Sequence, residues 1–259
     1  MQTGAITGYV DVAQVTLYAF WVFFAGLIWY LRREDKREGY PLVSELPDRV
    51  LVQGFPPIPP AKTFLLPHGG TEQAPRDRAE PPVDGVRALP WFGAPLEPGG
   101  NPMLAGIGSA AYANRGDSPE LTYEGETRMA PLRVATVYYI EPSDPDPRGM
   151  TVVGADKQVA GVVSDIWIDR AEPAIRYLEI TLAGNVPTRT VLLPMTFVSA
   201  FRTGRAQEVK VNAITAAQFA EVPQIKHPDQ VTLLEEDRIA GYYAGGFLFA
   251  IPGRAEPLL

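Results

Sequence analysis

Residues 12–31, VAQVTLYAFWVFFAGLIWYL, decide how this chain is built. The stretch carries no charge, and as a helix rising about 1.5 Å per residue it spans roughly 30 Å, the thickness of a bilayer's hydrocarbon core. Gln14, Thr16 and Tyr18 are its only clearly polar members, all in the first half. Phe20, Trp21, Phe23 and Phe24 fill the middle, and Trp29 and Tyr30 stand at the far end, where amphipathic rings favour the headgroup level. A signal peptide would have basic residues before the apolar run and a small-residue cleavage site after it. Here MQTGAITGYVD precedes the run without Lys or Arg, and Arg32-Arg33-Glu34-Asp35-Lys36-Arg37 follows it. The pattern predicts an uncleaved single transmembrane helix over residues 12–31. A buried core helix is the competing reading, but such helices rarely run this far without a polar stripe.

The flanking charge also predicts direction. Basic residues stay on the cytoplasmic side, so residues 1–11 are expected on the periplasmic side and the rest of the chain in the cytoplasm. Glu34, Asp35 and Glu38 dilute the basic run, which therefore reads mainly as a topology signal. Trp29, Tyr30 and Arg32 are the residues expected at the lipid headgroups.

The chain has 259 residues, a net charge of −7 and no cysteine, so disulfides and thiolate chemistry are excluded. His68 and His227 are the only imidazoles, which argues against a zinc site of the usual His/Cys kind. The acidic balance argues against nucleic acid, whose phosphates require clustered Lys and Arg.

Residues 32–131 are dense in proline and glycine, as in GFPPIPPAKTFLLPHGG and APLEPGGNP, which leaves no room for a long helix or regular ladder. The segment nevertheless keeps Phe55, Ile58, Phe64, Leu65, Leu66, Trp91, Phe92 and Leu104. That much apolar surface predicts an extended segment packed on larger partners. Only Thr71 to Asp84 reads as a disordered tether. Residues 132–225 change texture: LRVATVYYI, KQVAGVVSDIWID, IRYLEITL, TRTVLLP, TFVSAF and EVKVNAI predict short strands of a small antiparallel barrel or sandwich. EITL and EVKVN alternate as strands with one wet face, and Gly161 marks a bulge or close backbone approach. In residues 226–259, Thr232 followed by Glu235 is a capping-box signature, and Gly241, Gly245 and Gly246 would let another backbone approach the helix. Its apolar part is too short to cross a membrane.

Several blocks resemble the H subunit of purple bacterial photosynthetic reaction centres. They are the anchor with its tail Arg37-Glu38-Gly39-Tyr40-Pro41-Leu42, the run Lys62-Thr63-Phe64-Leu65-Leu66-Pro67-His68-Gly69, Val163-Ser164-Asp165-Ile166-Trp167-Ile168-Asp169, and Val231-Thr232-Leu233-Leu234-Glu235-Glu236-Asp237. The resemblance implies one membrane helix, an extended surface segment and a cytoplasmic PRC-type barrel with a C-terminal helix. It implies a non-enzymatic subunit of the intracytoplasmic photosynthetic membrane that caps the L and M subunits. Bacteriochlorophyll, bacteriopheophytin, quinones and non-haem iron are expected in those partners, and no cofactor or metal in this chain. A cytochrome subunit and a light-harvesting antenna belong to the wider set of partners.

The family also helps carry protons to the secondary quinone. Each step of such a route needs a donor and acceptor within hydrogen-bond reach. By resemblance, Asp169 and Glu172 take relay roles with Arg176 tuning them; a solvated loop with an ion pair is what the residues alone suggest. Glu124 and Glu126 stand where some relatives carry a histidine pair at the proton entry, and carboxylates there hold few protons at neutral pH. His68 reads equally as a relay or as a structural donor to a backbone carbonyl. Glu34, Arg37, Glu38 and Tyr40 are expected at the interface with partner subunits, against a plain solvated charge run. Two other functions compete: a membrane-tethered binding module recruiting soluble proteins without a redox role, and a tethered enzyme, which the missing motifs disfavour.

Overall fold

The computed structural model describes residues 4–7, 9–43, 51–76, 85–91, 93–184, 188–204 and 206–254. Part of the expected tether (77–84) and the end of the C-terminal tail lie outside them. The chain divides into two compact units, Met1–Ala79 with Trp91–Gly93, and Glu80–Pro90 with Ala94–Leu259.

In the first unit, α1 (Val12–Glu34) starts where the Asp11 carboxylate accepts the Gln14 amide at 2.7 Å. It runs a turn beyond the apolar stretch, and is long and apolar enough to cross a membrane. None of its residues is buried among the described residues, and most of this apolar cylinder is exposed. A 3-10 turn, Asp35–Arg37, follows. The Arg37 guanidinium then holds Glu34 at 2.9 and 3.0 Å and donates to the carbonyls of Pro60 and Ala74, both at 2.8 Å. Lys62 pairs with the same Glu34 at 2.6 Å. These bonds tie both ends of a hairpin, β3 (Lys62–Leu65) with β4 (Thr71–Ala74), to the helix exit. Lys36 is buried, donating to the Gln53 and Pro56 carbonyls beside the Tyr40 ring. Short ladders therefore do form here, including β1 (Leu42–Val43) with β2 (Leu51–Val52), and Thr71–Ala74 is a paired strand rather than tether.

The second unit begins well before Leu132. Besides a hairpin of β5 (Gly85–Arg87) with β6 (Leu96–Pro98), it takes in Met103, Ile107, Ala110, Met129 and Ala130, all buried. β7 (Met129–Pro131) joins the main sheet along β9 (Val159–Asp169). Ladders run β11 (Thr190–Pro194), β10 (Ala174–Leu182), β9, β8 (Thr151–Val153), β13 (Glu208–Val211), β12 (Val198–Arg202). The β13–β8 pair is parallel, an exception in an otherwise antiparallel sheet. Leu132 to Ile140 is a series of turns, not a strand: Pro131 ends β7, and the Val134 and Ala135 amides turn back to its carbonyl at 2.9 Å. Gly161 meets both expectations, since the ladder shifts register beside it and a Cβ there would lie 2.2 Å from the Thr181 carbonyl oxygen. EVKVN alternates as read, but Glu179 of EITL is buried, accepting from Trp167 Nε1 at 2.9 Å and Arg133 at 2.8 Å.

The core, built on Ile166, Trp167, Leu178, Ile180, Leu192 and Phe219, is closed by α2 (Leu233–Phe249) through Ile239, Tyr242 and Tyr243. The capping box is present: Thr232 Oγ1 accepts the Glu235 amide at 3.2 Å, and Glu235 accepts the Thr232 amide at 2.9 Å. Thr232→Ala should lower unfolding stability by about 1–2 kcal/mol in a denaturant titration. The helical glycines are close-approach points within the chain. A Cβ on Gly245 would meet Ala110 Cβ at 2.8 Å, and one on Gly241 the Ala110 carbonyl oxygen at 2.9 Å.

Candidate functional site

The acid–arginine cluster forms where β9 turns into β10. Asp169 ends β9 fully buried, and every bond it makes freezes it as an anion. Arg128, next to β7, grips both carboxylate oxygens, with an ion-pair distance of 2.8 Å. Arg176 reaches it at 3.1 Å, and the amides of Ala171 and Glu172 donate at 2.9 and 3.1 Å. Burial pushes the carboxyl up, but these donors override it and hold its pKa down at about 2. Asp169 is therefore held as an anion at neutral pH. Arg176 bridges from Asp169 to the exposed Glu172 at 3.4 Å, as an anchor for both. Arg128 in turn binds Glu120 at 2.9 Å.

Beside this cluster the Glu124-Gly125-Glu126 turn is closed by the Thr122 amide on the Glu126 carbonyl at 2.7 Å. Gly125 has φ +88°, a conformation that favours glycine. Glu126 pairs with Arg170 at 2.9 Å, while Glu124 stays exposed. Thr122, Glu124, Glu126, Tyr138 and Arg170 border a cleft of about 410 Å³, and the buried Thr122 hydroxyl has no hydrogen-bond partner among the described residues. The geometry thus joins Asp169, Glu172 and Arg176, and sets Glu124 and Glu126 on the rim of one cleft.

Two family sequence models match this chain: the photosynthetic reaction centre H-chain N-terminal region over residues 4–134, and the PRC-barrel domain over residues 141–215. The chain belongs to the photosynthetic reaction-centre H-chain family. As an H chain it is a membrane-anchored accessory subunit that associates with the L and M subunits. The mainly-β unit with its C-terminal helix carries the PRC-barrel match, in agreement with the fold class expected from sequence.

The remaining expected residues of this H chain lie elsewhere. His68 sits in the other unit, exposed in the β3–β4 turn. Glu34 and Arg37 pair with each other, and Lys62 of the hairpin pairs with Glu34 as well. Glu38 is exposed and Tyr40 half-buried beside Lys36. Trp29 and Tyr30 are exposed at the end of α1, with Arg33 over the Trp29 ring at 5.4 Å and Lys62 over Tyr30 at 5.8 Å. Arg32 is exposed and pairs loosely with Asp35 at 3.8 Å. Sequence reasoning missed Arg128, a single cation in a proline-rich stretch with no periodicity around it. It also missed Arg133, which binds Asp165, Glu179 and Asp229 at 3.0, 2.8 and 2.9 Å.

Proposed function

We propose that this H chain caps the cytoplasmic face of the L and M subunits, stabilises the complex and conducts protons toward the secondary quinone during light-driven quinone reduction. In this reading residues 1–11 are periplasmic, the main unit is cytoplasmic, and the chain performs no catalysis of its own. The observation that carries it is the graded arrangement of acids on one side of the β unit. Glu124 and Glu172 are exposed to solvent, Glu126 is anchored by Arg170, and the buried Asp169, held by the half-buried Arg128 and the exposed Arg176, lies behind them. Exposed carboxylates exchange protons with water, while fixed charges inside set the local potential through which a proton moves. The redox cofactors belong to the partners, and this chain supplies the proton path and the seal.

The test separates carrier from counter-charge. Glu172→Gln should slow proton-coupled transfer of the second electron to the quinone roughly tenfold, about 1.4 kcal/mol of barrier, with primary charge separation unchanged. Flash-induced absorbance changes in the purified complex read both. Unaltered second-electron kinetics and proton uptake in Glu172→Gln, Glu124→Gln and Glu126→Gln together would remove the conduction reading.

A further inference from the structure

Where β10 meets the first turn of α2, the buried Tyr177 phenol donates to Glu236 Oε1 at 2.9 Å. The acids around this pair are each balanced by a cation: Glu120 and Asp169 by Arg128, at 2.9 and 2.8 Å, and Asp237 by Arg115 at 3.6 Å. Glu236 differs. It is half-buried, no cation lies within ion-pair distance of it among the described residues, and the donor on its Oε1 is neutral. A carboxyl in that setting stabilises its charge poorly and binds a proton more readily than its neighbours.

We infer that Tyr177 and Glu236 form a proton-holding site, in which Glu236 takes a proton onto Oε2 from water or a neighbouring acid and releases it again, while Tyr177 remains a fixed donor to Oε1. Burial sets the direction at Glu236. Burial pushes the Glu236 carboxyl above the usual range; the Tyr177 hydroxyl and Arg115 pull it back, and Glu120 and Asp237 push it up again. Burial and the Glu236 charge also drive the Tyr177 phenol far upward, with Arg176 opposing, so that hydroxyl keeps its proton. The use of this site in proton conduction rests on the function proposed above; its protonation does not. It provides the chargeable carboxyl that Asp169, pinned as an anion, does not.

Infrared titration of the carboxyl C=O band in the intact complex tests the site. The native complex should show a protonated carboxyl that persists above the ordinary glutamate range, and Glu236→Gln should abolish it while the complex assembles normally. Tyr177→Phe should move the midpoint further up, because the donor favouring the charged form is gone. Glu236→Asp should restore a titrating band. A midpoint in the ordinary range, or a band indifferent to Glu236→Gln, overturns the site. Second-electron transfer in the same samples should slow several-fold in Glu236→Gln and recover in Glu236→Asp. If the band behaves as described but these kinetics do not change, the proton-holding site stands and its place in the conduction route is overturned.

Discussion

Replacing Arg128 by methionine is expected to lower the unfolding stability of this chain by about 3 kcal/mol, the largest effect of any single change considered. Methionine keeps most of the stem's packing but leaves Asp169, with no exposed surface, facing only Arg176 and two amides. Removing one partner of a buried ion pair strands the other charge, and typically costs about 3–5 kcal/mol; the surviving Arg176 contact puts this case at the low end. Glu120 loses its partner as well, although that half-exposed pair adds little. The acid limb of the stability curve carries a second signature. Asp169 has a folded pKa of about 2, below the ordinary aspartate value near 3.9, so its ionisation contributes about 2–3 kcal/mol at neutral pH. That contribution is complete above the unfolded value and is lost as pH falls from about 4 toward 2. In Arg128→Met the folded pKa rises, so this component shrinks and the loss begins at higher pH. Denaturant unfolding of the full chain in detergent, repeated between neutral and acid pH, checks both. Equal stability of the two proteins at neutral pH would show that Arg176 and the two amides hold Asp169 without Arg128.

Gly246→Ala is expected to destabilise by about 2 kcal/mol, although alanine is the better helix former by about 1 kcal/mol. A Cβ on Gly246 would stand 2.4 Å from Ile214 Cγ2 and 2.5 Å from the Ala213 carbonyl oxygen. The side-chain atom can move, but the carbonyl belongs to the backbone just after β13 and yields only by shifting α2. Overpacking of this kind costs typically about 1–3 kcal/mol and outweighs the propensity gain. Gly253→Ala is the control, because nothing lies within 4 Å of a Cβ there. Thermal unfolding of both variants gives the comparison, and a more stable Gly246→Ala would mean that helix propensity governs this position.

The membrane helix, the main strands and the capped C-terminal helix were legible because each rests on a local pattern: an unbroken apolar run, short β-branched segments between turns, and Thr232 three residues before Glu235. Leu132 to Ile140 was misread because its composition suits a strand, while Pro131 and the tied turn after it decide otherwise. The candidate site was legible only in part. Asp169, Glu172 and Arg176 lie close in sequence, so their clustering could be read; Arg128, 41 residues before Asp169, could not. Its guanidinium is what holds Asp169 as an anion. Glu236 was hidden for a related reason: in sequence it is one more acid in a helix's first turn, and only the packing of α2 on β10 sets it against Tyr177.

Sequence alone therefore determined that this chain has one apolar span, a β-rich unit and a capped helix, because hydrophobic period and capping act over a few residues. Tertiary structure alone decided which acids are frozen and which can exchange a proton. That depends on burial and on cations delivered from distant parts of the chain, and the charge of a carboxyl follows its surroundings in space.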